Sequence, residues 1–142
     1  MRRACFVPFL LLLACHREDP IAGAIKKVAA AAEDRDAAAV VAMLAPSYAD
    51  ETGGRAEVEN MLRRYFFGYR SINVSIKDLQ TWENGPVGQA RFRVDFAGVA
   101  KEIGGIDQLL PSSASYQFEV WLVQDNGAWK ISAAKWQPVK DS

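Results

Sequence analysis

The chain contains little cysteine and histidine, with two cysteines and one histidine among 142 residues. This scarcity argues against most zinc sites and against thiolate or histidine catalysis, because those chemistries depend on these side chains. An excess of one charge is also lacking, since 17 basic residues balance 17 acidic residues. Nucleic-acid binding needs a basic surface that displaces counterions from phosphates, so we do not expect it. We also expect no metal and no cofactor.

Long hydrophobic runs are absent apart from one near the N-terminus. Residues 4–14 form an apolar run of 11 residues, whereas a membrane-spanning helix needs about 20. Arg2 and Arg3 precede this run and give it a cationic start. A short cationic segment before a short apolar run is typical of an export signal. Half of the whole chain is apolar, which is ample for the core of a single domain.

A cysteine closes this apolar run at the place where a signal peptidase would cut. Residues 12–15, Leu-Leu-Ala-Cys, resemble the lipobox of bacterial lipoproteins, in which small and aliphatic residues precede the cysteine. The resemblance implies cleavage before Cys15, followed by acylation of its thiol and of the new amino group. An ordinary secretory signal with an incidental cysteine is the alternative.

The lipobox resemblance also implies a division of the chain and a location in the cell. The division is a signal peptide (residues 1–14), a lipidated tether (15–19) and a domain (20–142). Two or more acyl chains anchor a protein stably, so the membrane becomes a partner through Cys15. The next residue is His16 rather than aspartate. By analogy with lipoprotein sorting in enteric bacteria, this implies the periplasmic face of the outer membrane.

The first half of the domain shows the apolar spacing of helices. Asp19 followed by Pro20 is a helix start pattern, which predicts a first helix to about residue 34. Asp36 is predicted to cap a short second helix that Pro46 ends. A third helix is predicted over residues 55–68, where apolar side chains recur at steps of three and four.

From residue 71 the apolar period becomes two, which predicts about four antiparallel strands. Asn126-Gly127 predicts a tight hairpin before the last strand. Three helices followed by a sheet predict an α+β fold with the helices packed on one sheet face. The strand residues predicted to face the helices are Ile72, Val74, Ile76, Phe92, Val94, Phe96, Tyr116, Phe118, Val120 and Leu122.

The order of these elements resembles the nuclear-transport-factor-2-like superfamily, also called SnoaL-like or cystatin-like. The resemblance rests on Leu-x-Pro-x-Tyr at residues 44–48, Gly-Gly at 53–54 and Gly-x-Trp-x-Ile at 127–131. It covers about residues 20–139. It implies a strongly curved sheet that wraps the helices into a cone, often with an internal pocket and often in a dimer.

Two interpretations of the cone interior follow. The first is non-catalytic binding of a small apolar ligand, or of an envelope protein. For the ligand, the predicted pocket residues are Tyr65, Tyr69, Phe92, Phe96, Tyr116 and Phe118. The second is a lyase or isomerase, because enzymes of this superfamily place acids and tyrosines inside the cone. The best pocket acids are Asp50 and Asp78, and the catalytic pair would be an aspartate with a tyrosine, for example Asp78 with Tyr65 or Tyr116.

The outer sheet face is a third candidate site. If the period of two holds, Trp121 and Trp136 share this face with Arg91, Arg93 and Lys130. Aromatic residues and arginine are enriched at protein interfaces. We therefore predict Trp121 and Trp136 as interface residues of a homodimer.

Overall fold

The structure is a computed structural model that describes residues 19–105 and 110–140. Within these ranges the helices are α1 (Pro20–Glu33), α2 (Ala37–Ala42) and α3 (Arg55–Phe67). The strands are β1 (Tyr69–Asn84), β2 (Val87–Ala100), β3 (Ser113–Asp125) and β4 (Ala128–Pro138). The strands form an antiparallel sheet in the order β1-β2-β3-β4. The predicted α+β fold class is confirmed.

The predicted signal peptide and the predicted lipidation site Cys15 lie outside the described residues. No helix in the described part of the chain has both the length and the apolar character needed to cross a membrane.

Short polar side chains begin the first two helices, as predicted. The Asp19 carboxylate accepts hydrogen bonds from the backbone amides of Ile21, at 2.9 Å, and Ala22, at 3.4 Å. Asp36 accepts one from the amide of Ala39 at 3.0 Å. The second helix ends at Ala42, earlier than predicted from Pro46.

The segment after α2 leaves helical conformation early because it pairs with the sheet. Leu44 forms a parallel bridge with Ile131 of β4. The amide of Ala45 donates to the carbonyl of Ile131 at 2.7 Å, and the amide of Ile131 donates to the carbonyl of Met43 at 2.9 Å. These bonds cover the outer edge of β4 around Ile131.

Two bulges interrupt the regular pairing of the strands. In β1 the register shifts between Lys77 and Gln80, and Asp78 takes a positive φ of 54°. In β4 the bulge falls at Ser132, because Leu122 pairs with Ile131 while Trp121 pairs with Ala133. A bulge adds one residue to a strand, so the side chains after it point to the opposite face.

The core consists of two buried clusters beneath the helices. One cluster, near the β1–β2 and β3–β4 turns, includes Ile21, Leu122 and Trp129. The other joins the start of β1 to the end of α1 and includes Tyr69 and Phe96. The candidate site lies in the space between the two clusters and is lined by members of both.

Candidate functional site

The helices and the inner face of the sheet form the walls of a half-open cavity of about 380 Å³. Every strand residue predicted to face the helices lines this cavity except Leu122, which is fully buried in the core. From the helices, the lining includes Val28, Val58, Met61 and Leu62. The lining is mainly hydrophobic, as in most small-molecule sites.

Five of the six predicted pocket aromatics line the cavity: Tyr65, Phe92, Phe96, Tyr116 and Phe118. The rings of Phe92 and Phe118 stack across β2 and β3, with centroids 5.4 Å apart and planes inclined by 3°. These aromatic side chains form much of the wall on the sheet side.

Tyr69 is the exception, because it is fully buried behind the cavity wall. Its ring centroid lies 5.3 Å from those of Tyr65 and Phe96, both of which line the cavity. Its hydroxyl donates a hydrogen bond to the carbonyl of Pro111 at 2.7 Å. The prediction of Tyr69 as a lining residue is therefore wrong, and its role is to support the two rings in front of it.

Trp136 lies at the opening of the cavity, with 39% of its surface exposed. Its ring stacks on that of Phe118 at 5.9 Å. Phe118, Ala134 and Trp136 also line an adjoining depression of about 720 Å³, whose other walls include Thr52, Lys135 and Gln137. The apolar cavity thus meets a polar surface beside Trp136.

This position contradicts the prediction that Trp136 shares the outer face with Trp121. The bulge at Ser132 reverses the alternation, so that Ile131 and Trp136 both face inward although one number is odd and the other even. Trp121 does lie on the outer face, opposite Gln89 of β2. The tryptophan that accompanies it there is Trp82, which pairs with the same Gln89 from β1. Sequence reasoning missed Trp82 because it follows the β1 bulge.

A carboxylate and a phenol provide the polar part of the cavity wall. The hydroxyl of Tyr48 donates to the Asp50 carboxylate, and both residues line the cavity. The other carboxylate oxygen accepts from the amides of Thr52, at 2.6 Å, and Gly53, at 3.1 Å. Burial, and then the hydrogen bond to Asp50, raise the pKa of Tyr48 well above its usual value.

The phenols of Tyr65 and Tyr116 form the second polar part of the wall. Burial is the main cause that raises the pKa of Tyr65, followed by its hydrogen bond with Tyr69 and the proximity of Tyr116. Tyr65 therefore stays a neutral phenol at physiological pH. A ligand polar group in this cavity would meet phenol hydroxyls and one carboxylate.

The catalytic pair predicted from the sequence, Asp78 with Tyr116, is not brought together. Tyr116 lines the cavity, but Asp78 lies exposed at the β1 bulge and outside the lining. The bulge is the physical reason. Regular alternation after Ile76 would have pointed Asp78 into the cavity, and the bulge interrupts that alternation. Of the two pocket acids considered, Asp50 is the one in the cavity wall. Tyr48 was missed as a site residue, although it ends the Leu-x-Pro-x-Tyr motif and stands two residues before Asp50.

Within residues 19–105 and 110–140, no three histidine, cysteine, aspartate or glutamate side chains come together as a metal-binding group. The arrangement in the cavity can enclose an apolar molecule and offer it a few hydrogen bonds.

No protein-family model and no curated protein sequence matches the chain. Solved structures do share its architecture. A candidate aromatic ring hydroxylase from Novosphingobium aromaticivorans has a TM-score of 0.73 at 13% identity, over 86% of this chain and 88% of that one. A candidate scytalone dehydratase from the same species has a TM-score of 0.72 at 13% identity, over 85% and 83%.

A nuclear-transport-factor-2-like superfamily protein from Salmonella enterica has a TM-score of 0.70 at 13% identity, over 86% of this chain and 90% of that one. At such identities the likeness shows the fold alone. The chain therefore has the nuclear-transport-factor-2-like α+β cone fold, as the sequence resemblance implied.

Proposed function

We propose that this protein is a lipid-anchored component of the bacterial cell envelope whose cone binds a small, largely apolar ligand without catalysis. The observation that carries the proposal is the cavity of about 380 Å³ with its mainly hydrophobic lining. Burying apolar ligand surface there contributes roughly 25 cal/mol per Å², which is enough for binding without charged contacts.

The hydrogen bonds of the Asp50 carboxylate suit a positioning role. One oxygen accepts two backbone amides and the other accepts the Tyr48 hydroxyl. These bonds fix the orientation of the carboxylate, and the oxygen that accepts only Tyr48 keeps a lone pair for a donor group of the ligand. Asp50 and Tyr48 can therefore orient one polar group of the ligand.

Probe binding tests the ligand proposal. We expect N-phenyl-1-naphthylamine, an apolar dye that fluoresces when it leaves water, to bind the wild-type chain. Ala134→Phe should abolish binding, because Ala134 lines the cavity. Ala133→Phe is the matched control, because Ala133 lies on the outer face opposite Trp121. Ile76→Phe is a second cavity-filling variant in case Ala134→Phe does not fold.

The cavity proposal fails if the dye does not bind, or if Ala133→Phe and the folded cavity variants reduce binding equally. Failure to bind would favour a protein partner, the other occupant considered from the sequence.

The anchoring part of the proposal rests on residues 12–15 and their resemblance to a lipobox. The proposed location is the periplasmic face of the outer membrane. Cys15→Ser should leave the protein soluble or unprocessed, and metabolic labelling with an alkyne fatty acid should mark the wild type only. Normal cleavage with unchanged membrane attachment of Cys15→Ser would refute the lipid anchor.

A lyase or isomerase is the second candidate function. One observation favours it: the cavity wall holds a carboxylate, Asp50, together with the phenols Tyr48, Tyr65 and Tyr116. One structural neighbour is named as a candidate scytalone dehydratase. If turnover of an apolar hydroxy or keto compound is found, and Asp50→Asn abolishes it while dye binding persists, the enzyme interpretation replaces the binding one.

A further inference from the structure

The outer sheet face carries an apolar patch at the end where the two hairpins turn. We define the tryptophan patch as Trp82, Val87, Trp121 and Val123. Gln89 pairs with both tryptophans across the sheet, and Val87 pairs with Val123, so the four side chains share one face. Trp82 is 46% exposed and Val87 is 48% exposed. No described element packs over Trp82 and Val87.

Two cations accompany the tryptophans of this patch. The Arg91 guanidinium lies 5.6 Å from the Trp82 ring centroid, and the Lys135 ammonium lies 5.6 Å from that of Trp121. The Glu119 carboxylate between them accepts a hydrogen bond from Gln89 at 2.7 Å and is 3.6 Å from Arg91. The cations therefore outnumber the acid, and each cation is held beside an indole.

This composition matches the headgroup layer of a bilayer. Tryptophan is enriched at membrane–water interfaces, where its ring meets acyl chains and its N–H stays hydrated. Arginine and lysine lay their aliphatic stems on apolar surface and extend their charges to lipid phosphates. A protein partner would fit the tryptophans equally well, so the position of the patch on the molecule must decide.

The start of the described chain lies at the same end of the sheet. The Asp19 carboxylate accepts a hydrogen bond from the hydroxyl of Thr81, the residue next to Trp82. The side chain of Ile21 packs against Gly88, where a Cβ would lie 2.7 Å from its Cδ1. Four peptide units separate Asp19 from Cys15, and they span at most about 15 Å. Lipidation at Cys15 would therefore hold the hairpin end of the sheet, which carries the patch on its outer face, close to the bilayer.

We propose that the tryptophan patch lies against the phospholipid headgroups of the bilayer that holds Cys15. This proposal rests on the lipid anchor proposed above. It turns the hairpin end of the outer sheet face toward that bilayer. The inner-face cavity adjoins a depression beside Trp136 whose walls include Arg91, Glu119 and Lys135 of the outer face.

Quenching of tryptophan fluorescence by lipid tests the orientation. The chain from Cys15 onward contains every described residue, and Cys15 is its only cysteine. Coupling this thiol to a maleimide lipid in phosphatidylethanolamine and phosphatidylglycerol vesicles imposes the anchor chemically. Lipids with brominated acyl chains should then quench the protein's emission. The double variant Trp82→Phe, Trp121→Phe should lose most of the quenching.

Trp136→Phe is the matched control, because Trp136 is partly exposed on the other face. It should keep the quenching of the wild type. The proposal is overturned if the wild type is not quenched, or if the double variant is quenched as strongly as the wild type. Because the coupling does not need cellular lipidation, this failure is distinct from that of the anchor, which Cys15→Ser tests in cells.

The uncoupled chain tests the competing occupant, a second copy. We expect it to sediment as a monomer at micromolar concentration. A dimer that Trp82→Ser and Trp121→Ser together dissociate would show that a second copy covers the patch, and would also overturn the proposal.

Discussion

Phe118 and Trp136 stack across β3 and β4, with ring centroids 5.9 Å apart and planes inclined by 21°. This contact lies where the apolar cavity meets the polar depression that includes Thr52 and Lys135. The two rings form one side of the opening, so they are placed to contact a ligand as it enters. Trp136 is also the exposed member of the pair, which makes it a natural optical reporter.

Trp136→Ala should weaken dye binding about two- to tenfold. The reason for the weaker binding is the loss of one aromatic contact between Trp136 and the dye, worth about 0.5–1.5 kcal/mol. Fluorescence titration with N-phenyl-1-naphthylamine measures the change. The change in tryptophan emission that the dye induces in the wild type should be absent from Trp136→Ala. Trp121→Phe, on the outer face, should leave both the affinity and the emission change intact, and an equal loss there would contradict the assignment of the opening.

A double-mutant cycle on Tyr48 and Asp50 should show that the two residues act as a unit. Asp50→Asn and Tyr48→Phe should each lower the free energy of unfolding by about 1–3 kcal/mol, because each leaves a partner of a charge-assisted hydrogen bond unsatisfied. The double variant should lose less than the sum, with a coupling of about 0.5–3 kcal/mol. Urea unfolding measures all four proteins. Strict additivity would mean that the hydrogen bond contributes nothing.

Asp95 should make folding stability depend on acidic pH. Lys77 of β1, then Arg93 and Ser115, hydrogen-bond to the Asp95 carboxylate, at 2.5, 2.8 and 2.7 Å, and hold its pKa well below the ordinary 3.8. The folded state then binds fewer protons than the unfolded state. The stabilisation is complete above the ordinary pKa and is lost as the pH falls below it.

The measurement is the urea midpoint as a function of pH. Asp95→Asn should show a flatter decline than the wild type below the ordinary pKa of 3.8. Lys77→Met removes the main cause of the lowered pKa, so it narrows the pH range of the decline and should also flatten it, though less than Asp95→Asn does. Identical curves for all three proteins would contradict the assignment.

Two glycine substitutions should act in opposite directions. A Cβ at Gly98 would lie 2.7 Å from the ring of Tyr69 and 2.8 Å from that of Phe96, so Gly98→Ala should destabilise by about 1–3 kcal/mol through overpacking. Gly23 lies inside α1 with nothing within 4 Å of its Cβ position. Gly23→Ala should stabilise by about 0.5–1 kcal/mol. Thermal unfolding measures both changes. A neutral Gly98→Ala would mean that the rings of Tyr69 and Phe96 can shift to make room for the Cβ.

Local signals predicted most of the fold, because each acts over a few residues. Asp19-Pro20 begins α1, and Asn126-Gly127 forms the β3–β4 turn with positive φ angles of 51° and 80°. The alternation from Tyr116 to Leu122 placed those residues on the inner face correctly. These features depend on capping, turn chemistry and strand period alone.

The errors came from long-range pairing, which no local pattern encodes. The bulge at Ser132 depends on how β4 fits against β3, and it moved Trp136 from the predicted outer face to the cavity. The bulge in β1 likewise left Asp78 outside the cavity. Tyr69 was expected on the lining, but the adjacent Gly98 lets its ring pack fully behind it. The side-chain types of these residues mark them as candidates for a binding or catalytic site. The pairing of the strands decides which side of the sheet each one occupies.

The β4 bulge makes the site tolerant of the loss of a single codon. Deleting codon 132 would remove the extra residue of the bulge, so that Ile131 and Ala133 would stay opposite Leu122 and Trp121 in regular alternation. Ala134 and Trp136 would keep their places in the cavity wall, and Lys135 would stay on the outer face. Regular pairing with Ser132 retained would instead turn Lys135 toward the cavity and Trp136 away from it, so the bulge itself sets which surface each residue joins.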